Sequence, residues 1–222
     1  MEDLATELVA IGRKDGKDNQ VIFNQFLDYT IDCFSIHRLI EAQGDYHMIF
    51  KELKEEKNVF FPVFSAFLMS TVEYLSINEV YDFFGDIYEN MFQSGNKAQN
   101  LGQFFTPQKI SNLCAGIIHT ESDGSTSNEP TCGSGRNLLA LFAKNGDRYH
   151  YYVGEDVDGV SVKMCTVNMM INGIRGCCIC HDTLIRDDFI FGYEINEVRY
   201  PFPCGCYSIR EINKEEYLKR LK

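Results

Sequence analysis

One stretch limits what this chain can fold into more than any other: Glu129-Pro130-Thr131-Cys132-Gly133-Ser134-Gly135, followed at once by Arg136-Asn137-Leu138-Leu139-Ala140-Leu141-Phe142. It reads as a loop of small residues running into an amphipathic helix. Gly133 and Gly135 allow positive φ and a close approach of backbone to a ligand. The helix behind them would offer unpaired N–H groups and a positive dipole end to whatever sits in the loop. Glu129 repels phosphate and attracts amines or hydroxyls, and the Lys-Ser/Thr ending of a phosphate-binding loop is absent. The pattern therefore favours a zwitterionic amino-acid group over a phosphate, with a plain turn carrying a cysteine as the alternative.

The segment Glu129 to Gly135 resembles the first S-adenosylmethionine motif, D-P-x-C-G-S-G, of DNA adenine-N6 methyltransferases, in particular the modification subunits of type I restriction systems. Upstream, Gly102-Gln103-Phe104-Phe105-Thr106-Pro107 is similar to the G-Q-F-[FY]-T-P segment of the same subunits. The likeness runs from about Asp82 to Leu184. It implies S-adenosylmethionine as cofactor, held by Glu129, Pro130, Thr131, Cys132, Gly133, Ser134 and Gly135. It also implies that Phe105, Thr106 and Pro107 border the methionine end, with the Thr106 hydroxyl facing the carboxylate. His181-Asp182-Thr183-Leu184 resembles the family's G-D-[ST]-L, with His181 in place of Gly, which implies that Asp182, next to Thr183, accepts from the adenine amine.

Nucleotide-binding folds carry an acid about 20 residues past the glycine loop, where its two oxygens take both ribose hydroxyls. Asp156 falls there, in Gly154-Glu155-Asp156-Val157-Asp158, and Glu155 is the competing candidate; Asp158 is expected to cap the next helix.

With 222 residues the chain has room for one large domain or two small ones. No apolar run approaches the ~18 residues of a membrane span, and the acidic start lacks a signal pattern, so the expected location is the cytoplasm. A net charge of −11, with Lys and Arg scattered, argues against DNA binding by this chain alone and leaves that task to a basic partner subunit. Nine cysteines, an odd number without a secretion signal, do not form a disulfide framework. Cys177-x-x-Cys180 with Cys204-x-Cys206 has the look of a zinc site, but a strand of small buried residues followed by a loose tail accounts for it better, so no metal is expected.

The segment before Asn19 reads as a frayed arm. Apolar spacing predicts one helix from Asn19 to Gln43, a shorter one around Ile49 and Leu53, and a buried segment from Pro62 to Leu75. Ser76-Ile77-Asn78-Glu79 has capping-box form and would open a helix containing Tyr81 to Glu89. Thr106 would cap a helix starting at Pro107. Strands are expected at Tyr149–Gly154, Gly176–Cys180 and within Phe189–Ile195, with a terminal helix from Lys214. The strand before Glu129 is anomalous: Ser122 to Asn128 holds no large apolar residue, whereas a central parallel strand should be a nearly continuous apolar run.

The catalytic motif implied by the resemblance, [NDS]-P-P-[FYW], is missing, since the five prolines include no adjacent pair. No catalytic residue is therefore assigned. The expected fold is α/β: a helical N-terminal domain, residues 1–98, then a shortened Rossmann-like S-adenosylmethionine-dependent methyltransferase domain, residues 99–222. The expected function is a cofactor-binding relative of type I modification subunits that is inactive alone. The alternatives are a methyltransferase completed by a partner chain and a structural protein with a decayed pocket. An incomplete parallel sheet leaves an edge to be covered by a homodimer or by other restriction-modification subunits.

Overall fold

In the computed structural model, residues 1–77, 80–92, 105–118, 125–146, 150–185, 188–197 and 207–220 are described. The chain opens with α1 (Glu2–Asp15), not with a frayed arm. Leu4 and Leu8 lie one turn apart and are buried with Ala5, a stripe narrow enough to be hidden among acidic neighbours. Gly16 ends the helix at φ 65°, and its N–H bonds back to the Gly12 carbonyl.

The single helix expected from Asn19 to Gln43 is two. α2 (Asn19–Cys33) is capped by Asp18, and α3 (Ile36–Glu41) restarts where the Ser35 hydroxyl accepts from the His37 N–H. A capping serine inside a continuous apolar period interrupts the helix without disturbing the pattern. α4 (Tyr46–Glu55), α5 (Phe61–Ile77) and α6 (Phe83–Phe92) follow. Ser76 lies inside α5, and Asn78 and Glu79 are outside the described residues. The group that opens α6 is the Asp82 carboxylate, which accepts from the Gly85 N–H at 2.8 Å.

The second half alternates: α7 (Gln108–Ile118), β1 (Thr126–Glu129), α8 (Arg136–Asn145), β2 (Tyr151–Asp156), α9 (Gly159–Ile171), β3 (Gly176–Cys180), β4 (Phe191–Ile195), β5 (Ile209–Ile212) and α10 (Lys214–Arg220). The strands form one mixed sheet in the order β1-β2-β3-β4-β5. β1, β2 and β3 run parallel, with Glu129 opposite Gly154 and Asp156 opposite Cys180, while β4 and β5 are antiparallel. β1 thus lies at the edge and is four residues long, which removes the anomaly of its polar sequence: Thr126 and Asn128 face solvent.

One face of the sheet, with Tyr152, Cys178 and Cys180, packs under α8 and α9. On the other, Cys177 and Ile179 meet Ile212 and Tyr217 of α10. α9 is buried over most of its length because α2 and α6 cover the side away from the sheet. A single cluster of buried residues therefore runs from Leu4 through the helical half to Ile209. Phe23, Phe26, Phe67, Phe83 and Phe84 are all fully buried in it, each contributing on the order of 1.5–3 kcal/mol. Two asparagines one turn apart, Asn168 on α9 and Asn172 at its C-terminal cap, stitch the halves together. Asn168 Oδ1 accepts from the Phe84 N–H, and Asn172 exchanges hydrogen bonds with both backbone groups of Tyr81.

Candidate functional site

The glycine loop closes the gap between β1 and α8 at the carboxyl end of the parallel strands. Its turn is fixed by the Gly135 N–H donating to the Cys132 carbonyl at 2.8 Å and by the Cys132 N–H donating to the Glu155 carbonyl at 2.8 Å. Gly133 has φ 53° and Gly135 φ 96°. A Cβ on Gly133 would stand 3.2 Å from the Phe105 ring, and one on Gly135 would stand 3.0 Å from Cys165 Sγ. Both glycines are thus demanded by conformation and by space. The floor beneath them is sulfur-rich. A side chain on Gly154 would meet Cys132, Cys165 and Cys178 together. The hydrogen bond with Cys165 draws the Cys132 thiol down, but burial together with the neighbouring Cys178, Asp156 and Glu129 holds the thiol up at about 11, a neutral packing group and not a nucleophile.

The adjacent acids at the end of β2 point to opposite faces. Asp156 turns toward the loop, taking the Gly133 N–H on Oδ2 at 3.0 Å and the Asp158 N–H on Oδ1 at 2.9 Å. Each oxygen keeps lone-pair capacity for a further donor. Glu155 turns to the far face, where Oε1 pairs with His181 Nε2 at 2.8 Å and Oε2 accepts from Asn128 at 2.8 Å. His181 is buried, also touches the Tyr217 hydroxyl, and is built into the α10 contact. Asp158 caps α9 through the Ser161 N–H, as expected.

Glu129 holds the loop from inside, accepting from the Thr131 hydroxyl and from Asn137 Nδ2 at 3.0 Å. Pro130 and Thr131 are exposed at the mouth. Asp182 and Thr183 follow β3 on the same end of the sheet, both half-buried, with Asp182 Oδ1 accepting from the Leu184 N–H. Thr106 offers its carbonyl to Arg136 at 3.5 Å, and the first turn of α7 is bonded to the carbonyl of exposed Pro107. Phe105 sits beside the loop, with its ring 5.7 Å from the Arg136 guanidinium and edge-on to Tyr88.

The Ser134 hydroxyl does not face the loop mouth. It donates to Asp82 Oδ2 at 2.7 Å, inside a buried polar knot. Asp82 also accepts from Arg136 Nε at 2.6 Å, Asn168 Nδ2 at 2.6 Å and the Gly85 N–H. Burial pushes the Asp82 carboxyl up from its usual range, and Arg136 is the strongest influence drawing it back. Besides the Thr106 carbonyl, Arg136 is taken up by acids, reaching Asp86 and, at 2.9 Å, Glu89 as well as Asp82. It is therefore not available to a phosphate, and the carboxylates of Glu129, Asp156 and Asp182 set the charge of the loop mouth.

Two clefts of ≈ 520 and ≈ 460 Å³ lie along α2, and no residue of the glycine loop lines either. Cys177 and Cys180 point to opposite faces of β3, so the two cannot share one metal ion; Cys204 and Cys206 are outside the described residues. Among the described residues no group of His, Cys, Asp or Glu is arranged for a metal. No described helix is long and apolar enough to cross a membrane.

A family model described as N-6 DNA Methylase matches residues 79–216, more than half of the chain. The chain belongs to the N-6 DNA methylase family. It is 31% identical over 103 residues to the type I restriction enzyme EcoEI methylase subunit of Escherichia coli, covering 41% of this chain and 21% of that protein. It is 29% identical over 117 residues to the MpnII methylase subunit of Mycoplasma pneumoniae, covering 48% of this chain and 22% of the relative. The chain thus spans about a fifth of the length of these curated relatives. No solved structure matches.

The N-6 DNA methylase match begins before α6, so it takes in Asp82 and the polar knot along with the glycine loop. Of the expected site residues, the fold gathers Phe105, Gly133 and Asp156 in direct contact or nearly so, with Glu129, Asp182 and Thr183 at the same end of the sheet. Sequence reasoning passed over Asp82, Arg136 and Asn168. The one available signal was a cluster of acids, Asp82, Asp86 and Glu89, on an otherwise apolar helix.

Proposed function

We propose that this N-6 DNA methylase relative binds S-adenosylmethionine at the glycine loop and does not methylate DNA by itself. The observation that supports the reading is the contact of Asp156 with the Gly133 N–H: the acid at the end of β2 is docked on the loop that follows β1. The donor set fits the cofactor. Asp156 has acceptor capacity for a ribose diol, Asp182 for the adenine amine and Glu129 for the amino group, while the Phe105-Thr106-Pro107 corner borders the methionine end. The parallel run β1-β2-β3 with α8 and α9 between its strands supports reading this half as a Rossmann-like methyltransferase half. Bound there, the cofactor supplies an electrophilic methyl group on a sulfonium.

Asp156→Ala is expected to weaken S-adenosylmethionine binding by about 1.5–3 kcal/mol, the range for hydrogen bonds to a charged group. Glu155→Gln, altering an acid on the far face, is expected to leave the affinity within about twofold. Titration calorimetry on both variants checks the assignment, and the reverse ranking would move the ribose role to Glu155.

The 222 residues hold no Asn-Pro-Pro-type motif to hold a target adenine, whose amino lone pair is delocalised into the ring. Positioning of reactants can lower a barrier by about 7–11 kcal/mol, and its loss is expected to leave methyl transfer at background. Tritiated methyl transfer to mixed-sequence duplex DNA at low salt is the measurement; incorporation above a Gly135→Val control would contradict the reading. The charge of −11 opposes DNA loading. A basic partner subunit of a restriction-modification system is the route by which DNA would reach this chain.

A further inference from the structure

α2 ends at Cys33, and the chain turns through Phe34 and Ser35 to meet the sheet. The Ile209 N–H donates to the Phe34 carbonyl at 2.9 Å, and Ser35 forms a single parallel bridge with Ile209. This joint sets the last turns of α2 beside β4 and β5. Between them lies the ≈ 460 Å³ cleft, a volume in the range of small-molecule sites, ~300–1,000 Å³. Ile31 and Ile209, 8% and 2% exposed, give it an apolar floor.

Tyr193 and Glu211 stand directly opposite each other on β4 and β5, so their side chains share the face that also carries Ile209. Tyr193 is 7% exposed, and its hydroxyl makes no hydrogen bond among the described residues, although a buried phenol usually finds a partner. Burial, and after it the charges of Asp28 and Glu211, raise the phenol and keep it neutral. Both of those acids line the same cleft, which places the hydroxyl toward it. The Glu211 carboxylate has no ion-pair or hydrogen-bond partner among the described residues. Asp28 and Asp32 lie one turn apart on α2. Lys163 takes Asp28 Oδ1 at 2.6 Å and Arg38 takes Asp32 Oδ2 at 2.6 Å. That leaves Asp28 Oδ2 with a 3.5 Å contact to Asn24, and Asp32 Oδ1 open. Arg210 belongs to the wall but sends its guanidinium to Glu197 and Glu216, and His37 is exposed at the rim.

Three carboxylates with acceptor capacity to spare, around an apolar floor, call for a ligand with several N–H donors and carbon between them. A bare divalent ion fits less well, because among the described residues no group of acids is arranged for a metal. We propose that this cleft binds a linear polyamine. Its methylenes lie on Ile31 and Ile209, its ammonium groups meet Glu211, Asp28 and Asp32, and the Tyr193 hydroxyl accepts one N–H. The walls come from the helical half and from the sheet, so the ligand ties the two together. The proposal is independent of the cofactor reading, since no residue of the glycine loop lines this cleft.

Spermidine is the probe, titrated by calorimetry into the full chain at about pH 8, where an alkylammonium stays charged and an imidazole is neutral. The expected result is saturable binding at one site per chain, with a dissociation constant below a millimolar and a raised melting temperature. Glu211→Gln and Tyr193→Phe take no partner from another group of the fold, and each should weaken binding about tenfold, the lower end for a hydrogen bond to a charged group. Glu7→Gln, on an exposed acid of α1, should leave it unchanged and so controls for the general attraction of a chain of charge −11. Octanediol, which has the carbon chain without the charges, should not bind. The absence of saturable spermidine binding would overturn the proposal. So would equal weakening by Glu7→Gln and Glu211→Gln, the mark of diffuse attraction only, or octanediol binding as tightly as spermidine.

Discussion

Gly135→Val is expected to abolish S-adenosylmethionine binding, with at least a hundredfold loss of affinity, while the helical content measured by circular dichroism stays unchanged. Valine is stiff at χ1 and poorly tolerated at the φ of 96° that this position adopts. Its Cβ would also press on Cys165 Sγ at 3.0 Å, and Cys165 is itself locked in buried α9. Holding a side chain in left-handed backbone costs about 1–3 kcal/mol, which the large shared core can absorb. The loop would give way instead, and with it the N–H of Gly133 that Asp156 holds. Gly133→Val should act in the same direction by displacing the Phe105 ring. If both variants bind normally, the loop is not the pocket.

Asp82→Ala is expected to destabilise the protein by about 3–5 kcal/mol, the range for removing one partner of a buried ion pair. The substitution leaves Arg136 without its nearest partner and takes an acceptor from Ser134, Asn168 and the Gly85 N–H at once. Asp86 and Glu89 remain to hold part of the Arg136 charge, so the loss should fall toward the lower end of that range. Urea unfolding measures it, and a change below about 1 kcal/mol, the level of a surface pair, would contradict the buried-knot account. Because Ser134 and Arg136 flank Gly135, the variant should also loosen the loop: Asp82 lies in the helical half, yet it anchors the segment that carries the two glycines.

The parts of the fold that were legible in the sequence are those whose signal is local. Gly133 and Gly135 announce their turn, Asp158 its cap, and Gly176–Cys180 its strand, because each depends on residues within one or two turns. Asp156 falls at the expected distance from the loop, but which of it and Glu155 touches the Gly133 N–H depends on the pleat of β2, which sends neighbours to opposite faces. Three features were not legible. The knot joins residues 82, 134, 136 and 168, and no local period links them. β1 reads as a failed central strand until its edge position is known. The break at Ser35 is invisible because Cys33, Ile36 and Ile40 keep an apolar period across it.

The central claim is that Asp156, docked on the glycine loop, marks a site for S-adenosylmethionine. Titration calorimetry of the wild-type 222-residue chain with S-adenosylmethionine tests it most directly. The account predicts saturable binding at one site per chain with a dissociation constant below a millimolar, removed by Gly135→Val. No heat and no shift in melting temperature at millimolar cofactor, from protein that is folded by circular dichroism, would contradict it.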